Sequence, residues 1–141
     1  MIEIKYFDYL SEDERMLRNT VFVDEQRFTD EFDEIDSTSH HLVLYDDGEP
    51  VACVRFFTEE NPTEYHLGRL CVLKEYRGQS LGSLLVYEVE KRAKDFGGTA
   101  VILSAQVRAS GFYEKLGYIK EGDIYFDEYC EHICMYKLLS S

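Results

Sequence analysis

The stretch from residue 64 to residue 105 constrains the fold most, because two hydrophobic patterns follow one another there in a fixed order. Residues 64–73 are rich in strand-forming types, and residues 99–105 form a continuous apolar and β-branched run typical of a buried strand. Between them, apolar side chains recur at helical spacing: Leu81, Leu84, Leu85, Val89, Ala93 and Phe96. A strand, a loop with two glycines, a long helix and a buried strand are therefore predicted in that order.

The flanking sequence adds strands on both sides of this unit. Residues 2–7 alternate between apolar and polar types as a strand does, and Ser11 with Glu14 has the spacing of a helix capping box. Further elements are a first helix to about residue 24, a hairpin with strands at 41–45 and 51–57, a short helix at 110–116, and final strands at 118–126 and 132–139. The order β-α-β-β-β-α-β-α-β-β predicts an α/β protein of the α+β type, with a mixed sheet and helices on its faces.

Length and charge narrow the function classes. The 141 residues are the length of one ordinary domain, so a single domain over 1–141 is expected. The formal net charge of −13 would repel a phosphate backbone, which argues against nucleic-acid partners. No apolar run approaches the roughly 18 residues of a membrane span, and the N-terminus lacks a secretory signal pattern, so we expect a cytoplasmic protein without a membrane partner. The four cysteines lie in apolar or strand-like stretches, which is typical of reduced core thiols.

The loop over residues 77–82 has the features of an anion-binding site. A strand that enters a helix through glycines leaves backbone N–H groups unpaired at the positive end of the helix dipole. Glycine lets a pyrophosphate approach the backbone, and Arg77 and Lys74 add positive charge. The loop lacks the P-loop and dinucleotide-binding patterns, and a purely structural turn is the alternative.

Two motifs carry a resemblance to a known family. Arg77-Gly78-Gln79-Ser80-Leu81-Gly82 resembles the Arg/Gln-x-x-Gly-x-Gly/Ala signature of the GNAT superfamily of N-acetyltransferases, with Leu70-Cys71-Val72 as the preceding strand. Ser104-Ala105-Gln106 followed by Phe112-Tyr113-Glu114-Lys115-Leu116-Gly117-Tyr118 is similar to the second signature of that superfamily. The sequence departs at Ser80, where the family usually has glycine. The resemblance extends over nearly the whole chain and is closest to a small single-domain bacterial branch.

The resemblance implies an acyl-CoA N-acyltransferase fold, in which a mostly antiparallel sheet has two splayed parallel strands in the middle. Acetyl-CoA is then the expected co-substrate, bound where the strands ending near Val72 and Ala105 diverge. The residues implied to bind it are Leu70, Cys71, Val72, Arg77, Gly78, Gln79, Ser80, Leu81, Gly82, Ser83, Gln106 and Phe112. The implied reaction moves an acetyl group to a primary amine of a small molecule or peptide.

The same resemblance implies catalytic roles. Tyr113 is at the family position of the general acid that protonates the leaving thiolate, although packing in the core is the alternative. His66 is the candidate base, since it lies four residues before Leu70 and is therefore expected on the same face of the predicted strand, and a near-neutral pKa suits that role. A water relay and two other histidines, His41 and His132, are rival candidates. His41 and His132 are also predicted to line the acceptor pocket with Glu25, whose carboxylate could pair with a cationic amine.

Several alternatives stay open at this point. The acidic residues between Glu25 and Asp36 either attract a cationic acceptor or form a solvated loop. Cys130, His132 and Cys134 share a strand face, but three ligands along one extended strand do not easily converge on an ion, so no metal is expected. A binding module that keeps the acyl-CoA pocket and acts as a sensor without turnover is the competing function, and a homodimer is left open.

Overall fold

The computed structural model describes residues 1–27, 32–127 and 130–140. Within these ranges, seven strands form one sheet in the order β1-β2-β3-β4-β5-β7-β6. The strands are β1 (Ile2–Phe7), β2 (His40–Asp46), β3 (Glu49–Thr58), β4 (Glu64–Val72), β5 (Ala100–Gln106), β6 (Ile119–Asp127) and β7 (Cys130–Leu138). β4 and β5 are parallel, and the other neighbouring strands are antiparallel. The predicted mixed, mostly antiparallel sheet is therefore confirmed.

Three α-helices cover the sheet: α1 (Glu12–Arg18), α2 (Leu81–Asp95) and α3 (Ser110–Lys115). The Ser11 side chain accepts a hydrogen bond from the backbone N–H of Glu14 at 3.2 Å, so the predicted helix cap is present. The first helix does not remain an α-helix over its predicted length, because the chain winds as a π-helix over Asn19–Glu25. Such wider turns are rare and occur often at functional sites. No helix in the described ranges is long and apolar enough to cross a membrane.

The central strands β2 and β3 are buried on both faces, so they carry apolar residues on both sides. In β2, Leu42 and Leu44 pack into the core under α2, whereas Val43 and Tyr45 pack into a smaller core under α1. The buried face of α2 contributes Leu81, Leu85, Val86, Val89 and Ala93 to the larger core. Leu17, Val21 and Phe22 contribute from α1 and the π-helix to the smaller core. The two cores fix both helices against opposite faces of the same strands.

An irregularity in β4 exchanges the faces of that strand. Cys53 pairs with Cys71 and Arg55 with Gly68, so the intervening part of β4 is one residue longer than that of β3. Arg69 lies within the extra length, with a left-handed φ of 53°. Before this bulge, Leu67 faces the core under α2; after it, Cys71 faces the core under α1 although both positions are odd-numbered. Residues four apart across the bulge therefore lie on opposite faces.

The parallel strands diverge beyond this point. β4 pairs with β5 only from Glu64↔Ala100 to Leu67↔Leu103. β4 continues beside β3 as far as Val72, and β5 continues beside β7 as far as Gln106. The two strands thus separate at their carboxyl ends while each keeps its outer neighbour. The predicted splay of two central parallel strands is confirmed.

Candidate active site

A cavity of about 520 Å³ lies where β4 and β5 separate. Its wall combines the end of β4, the loop into α2, part of the π-helix and the start of α3. The lining residues are Val21, Gln26, Leu70, Cys71, Val72, Tyr76, Arg77, Gly78, Ser80, Leu81, Gly82, Ser83, Ala109, Phe112 and Tyr113. Of the residues predicted to bind the co-substrate, all but Gln79 and Gln106 line this cavity. The structure thus brings the two sequence motifs together around one space.

One end of the cavity is formed by the amino terminus of α2. The first hydrogen bond of the helix runs from the Leu84 N–H to the Ser80 carbonyl, so the amides of the preceding turn have no acceptor one turn before them. The Ser80 side chain does not cap them. Gly78 and Ser80 both have a left-handed backbone, with φ of 82° and 64°, and this reverses the chain in front of the helix. Unpaired amides and the positive end of a 15-residue helix make this turn suited to an anion such as a phosphate.

Gly82 leaves space at the end of the cavity that the amino terminus of α2 forms. A Cβ added at Gly82 would lie 3.3 Å from Cζ of Phe112 and 3.8 Å from Cγ2 of Val72. A larger side chain would have to displace the Phe112 ring, which also lines the cavity. Glycine at this position therefore allows α2, β4 and α3 to approach one another closely beside the anion-binding turn over residues 77–82, which we call the anion cradle.

Arg77 is bound to Glu25 rather than free in solution. Its two terminal nitrogens donate to the Glu25 carboxylate at 2.7 and 2.8 Å, and its Nε donates to the Val72 carbonyl at 2.9 Å. The hydrogen bond from Arg77 lowers the pKa of Glu25, more than partial burial raises it. Glu25 was predicted to bind a cationic acceptor, but its carboxylate is paired with the loop that forms the anion cradle. This ion pair connects the end of the π-helix to the opposite wall of the cavity.

Tyr113 is buried in the cavity wall, with 9% of its surface exposed. Its ring packs against Phe112 and Tyr118 at centroid distances of 4.9 and 5.9 Å. Burial raises the pKa of the Tyr113 phenol, so the group stays protonated at neutral pH. The neighbouring Tyr118 differs, because its hydroxyl donates to Glu90 at 2.9 Å. The protonated Tyr113 phenol therefore lies in a residue that lines the cavity.

Two of the predicted histidines lie away from the cavity wall. His66 faces Glu59, with its Nε2 3.4 Å from a carboxylate oxygen, and its ring stacks on Phe57. The bulge at Arg69 puts His66 on the face opposite to Leu70, so the expected alignment of these two residues is not present. His41 has no exposed surface: its ring nitrogens lie 2.8 Å from Glu14 and 2.9 Å from the Asp36 carbonyl. Neither position supports the predicted role in base catalysis or in an acceptor pocket.

His132 lies at the open end of the split. It pairs in register with Gln106, the last residue of β5, and its ring stacks on Tyr125. Its Nδ1 is 3.0 Å from the Cys130 carbonyl and must donate to it, because a carbonyl oxygen only accepts. Gln106 in turn donates to Gln26 of the cavity wall at 3.0 Å. The predicted residues Gln106 and His132 are thus neighbours, and neither lines the cavity itself, although Gln106 contacts it through Gln26.

The described part of the acidic segment is largely neutralised by arginines. Asp36 accepts from Arg18 at 2.8 Å and from Arg55 at 3.0 Å, and Asp33 accepts from Arg55 at 2.6 Å. Burial raises the pKa of Asp36, but these arginines outweigh it and hold the pKa at about 2. Asp30 and Glu31, which the sequence also placed in this segment, lie outside the described residues. Ligand-type atoms of Glu14, Asp36 and His41 lie within 4.8 Å of one another. The Arg18 guanidinium binds both Glu14 and Asp36, so it supplies at this cluster the positive charge that a metal ion would otherwise supply.

Sequence reasoning missed part of the cavity wall. Val21 and Gln26 come from the π-helix and its end, and Tyr76 and Ala109 come from short 3-10 turns at Lys74–Tyr76 and Val107–Ala109. None of the four belongs to a glycine loop or to a charged pattern. The only sequence signal was local: Val21 lies on the apolar stripe of the first helix, which was interpreted as core packing.

Comparison with known proteins agrees with this geometry. Residues 8–139 match the family model described as the acetyltransferase (GNAT) domain. The chain belongs to the GNAT family of acetyltransferases. The uncharacterized N-acetyltransferase YjcF of Bacillus subtilis is 38% identical over 104 residues, which cover 72% of this chain and 73% of the relative. The family implies acetyl transfer that depends on acyl-CoA.

Solved structures place this acetyltransferase in the acyl-CoA N-acyltransferase fold. An acyl-CoA N-acyltransferase from Pseudomonas aeruginosa is 27% identical, with a TM-score of 0.82 and coverage of 97% of this chain and 98% of the other. An aminoglycoside 6'-N-acetyltransferase complexed with coenzyme A is 18% identical, with a TM-score of 0.78 and coverage of 99% and 98%. At that identity the second likeness shows the fold, which in that protein holds coenzyme A.

Proposed function

We propose that this acetyltransferase moves the acetyl group of acetyl-CoA to a primary amine of a small molecule or peptide by direct attack on the thioester. The observation that carries the proposal is the cavity between the splayed strands, which has an anion cradle at one end and a protonated phenol in its wall. The pyrophosphate would bind the amides at the start of α2, and the pantetheine arm would lie along the unpaired edge of β4. The named activity of the relative YjcF supports the same class of reaction.

Tyr113 is the proposed general acid. When the amine displaces coenzyme A, negative charge develops on the leaving sulfur, and a thiolate in an apolar cavity is poorly solvated. A phenol within hydrogen-bond reach stabilises that charge and supplies the proton. Because burial keeps Tyr113 protonated, the donor is in the correct state before the reaction begins.

His132 or a water bound beside it is the proposed base. An alkyl amine with a pKa near 10.4 must lose a proton to become a nucleophile. Because Nδ1 of His132 donates to the Cys130 carbonyl, Nε2 is the ring nitrogen left to accept a proton, on the residue that pairs with Gln106. His66 is less suited to this role, because Glu59 and Phe57 hold it on the opposite face of β4.

The acidic segment gives only weak support for attraction of a cationic acceptor. Asp33 and Asp36 are already paired with arginines, and Glu25 is paired with Arg77. Replacing these carboxylates would disturb ion pairs before it changed any long-range field. The proposed acceptor is therefore a primary amine, and no residues are proposed to bind a positive charge on it.

The test is turnover with a panel of amines and a pair of tyrosine variants. Release of the coenzyme A thiol from acetyl-CoA is measured with polyamines, amino sugars, aminoglycosides and peptide amines. We expect Tyr113→Phe to lower turnover by about 10²- to 10⁴-fold while acetyl-CoA binding stays close to that of the parent, because only the proton donor is lost.

Tyr118→Phe is the matched control. It removes a second buried hydroxyl, which donates to Glu90 away from the cavity, and it leaves the ring packing and the backbone hydrogen bond between Tyr118 and Tyr113 in place. Turnover per folded molecule should be retained in this variant. Equal turnover of Tyr113→Phe and the parent would refute the acid role. Tight binding of acetyl-CoA without turnover on any acceptor would instead indicate a sensor module.

A further inference from the structure

Two cysteines from neighbouring strands are in contact beneath the cavity. Cys53 of β3 and Cys71 of β4 are direct partners in the antiparallel register, so their side chains leave the sheet on the same face. Their Sγ atoms are 3.4 Å apart. Directly opposed residues on antiparallel strands have Cα atoms about 4.5–5.5 Å apart, which is within the range of a disulfide, and the sulfurs would have to approach from 3.4 Å to about 2.05 Å.

The two thiols differ in access. Both thiols are buried in the core under α1, but Cys71 lines the cavity and has 4% of its surface exposed, whereas Cys53 has no exposed surface. Burial, and after it the hydrogen bond with Cys71, raises the pKa of the Cys53 thiol well above its usual range. A small molecule in the cavity therefore meets Cys71 first and can reach Cys53 only through it.

We propose that Cys71 and Cys53 form an oxidisable thiol pair in the cavity wall, in which Cys71 reacts with hydrogen peroxide and Cys53 resolves the product into a disulfide. The proposal goes beyond acetyl transfer and does not depend on which ligand fills the cavity. The other two cysteines, Cys130 and Cys134, lie on β7 and line no part of this cavity.

Both steps balance with peroxide as the only oxidant. The Cys71 sulfur forms a bond to one peroxide oxygen, the O–O bond breaks, and the thiol proton leaves with the other oxygen as water. This gives a sulfenic acid at Cys71. The Cys53 sulfur then forms the S–S bond, the S–O bond breaks, and the Cys53 proton leaves with the hydroxyl group as a second water. Two thiols are oxidised and one peroxide is reduced by two electrons.

The first experiment uses the parent protein. Folded protein is treated with hydrogen peroxide, quenched, alkylated under denaturing conditions and digested, and the linked peptides are identified by mass. We expect a peptide pair joined through Cys53 and Cys71, with the intact mass lower by two hydrogens and restored by dithiothreitol. Retention of both thiols in the free form, overoxidation of Cys71 without a link, or a disulfide joining other cysteines would overturn the proposal.

Two single variants test the order of the steps. Cys53→Ala removes the resolving thiol, so a sulfenic acid at Cys71 should persist long enough to be trapped by dimedone. Cys71→Ala removes the thiol that lines the cavity, so Cys53 should remain reduced under the same treatment. Alkylation of Cys53 by dimedone in the second variant would contradict the assigned order. Because the parent experiment needs no substitution, poor folding of either variant leaves the main test intact.

Discussion

Ser80 has a backbone conformation that the family usually assigns to glycine. Its φ of 64° is left-handed, and its side chain makes no cap hydrogen bond to α2. A non-glycine residue in this region is less stable by about 1–2 kcal/mol than in the right-handed region. The cradle keeps its shape because the surrounding turn and helix hold it, so the departure at Ser80 affects stability more than the position of the amides.

The first prediction concerns this strain. We expect Ser80→Gly to raise the free energy of unfolding by up to about 1 kcal/mol, since glycine adopts the left-handed conformation without a steric penalty but gains freedom in the unfolded chain. Ser80→Ala is the control, because it removes the hydroxyl and keeps the strain, and it should leave stability nearly unchanged. Urea unfolding measures both. A loss of stability in Ser80→Gly would show that the serine side chain stabilises the turn.

At the scale of elements, the π-helix and the loop before α2 are tied together by one ion pair. Glu25 and Arg77 are each about two-fifths exposed, and an ion pair at such a site contributes at most about 1 kcal/mol. Its main effect is therefore on the position and charge of Arg77 rather than on stability. The carboxylate places a negative charge beside the site where phosphates would bind.

The second prediction follows from that competition. Glu25→Gln should tighten coenzyme A binding several-fold, because Arg77 no longer pairs with a carboxylate and can bind phosphate. Glu75→Gln is the control: it removes a nearby charge in the Lys74–Tyr76 turn and, within the described residues, no hydrogen bond to Arg77. Isothermal titration measures both. Weaker binding in Glu25→Gln would mean that Glu25 orders the loop for the ligand.

At the scale of the whole molecule, a buried charge network joins α1, β2, β3 and the Glu34–Thr38 turn. Glu14, Arg18 and His41 have no exposed surface, and Asp36 and Arg55 are nearly buried. Burial lowers the pKa of His41, but the hydrogen bond and charge of Glu14 outweigh it and raise the pKa overall. The network therefore favours a protonated His41 in the folded protein.

The third prediction is a pH dependence of stability. Because the folded pKa of His41 is raised, its contribution should be complete below the unfolded pKa of about 6.5 and be lost as pH rises through the folded pKa. The difference in unfolding free energy between the parent and His41→Gln should therefore be largest near pH 5.5 and shrink toward pH 9. A difference that does not vary with pH would contradict a charged His41.

The low pKa of Asp36 affects the stability of the protein at acidic pH. Since the folded pKa is about 2, the contribution of Asp36 is present above its unfolded pKa of about 3.9 and is lost only as pH falls through about 2. The difference in unfolding free energy between the parent and Asp36→Asn should therefore be complete at about pH 5 and shrink as the pH falls toward 2.

The sequence predicted the elements and the cradle well, because both depend on local patterns. Hydrophobic periodicity located the strands, and glycine spacing located the turn before α2. Tyr113 and Gly82 lie at the cavity as expected. What could not be predicted depends on contacts distant in sequence: the bulge at Arg69 exchanges the faces of β4, and no local signal marks it. The predicted alignment of His66 failed for that reason.

The buried network was also beyond prediction. Charged residues in an acidic run resemble a solvated loop, and their partners Arg18 and Arg55 lie on other elements. Only the folded chain shows that these charges neutralise one another inside the protein. The π-helix likewise looked like the end of an ordinary helix, since its apolar residues fit either winding.

Because β4 and β5 diverge, the end of each strand has one edge without a partner strand in the middle of the sheet. Edge positions at the rim of a sheet meet water, but here the vacant edges face each other across a cavity inside the fold. An extended molecule with amide groups can occupy the place of the missing strand, so that ligand and protein share one hydrogen-bonded layer. A ligand held in this way contributes to folding as well as to chemistry: at a free concentration 100 times its dissociation constant it stabilises the native state by about 2.7 kcal/mol.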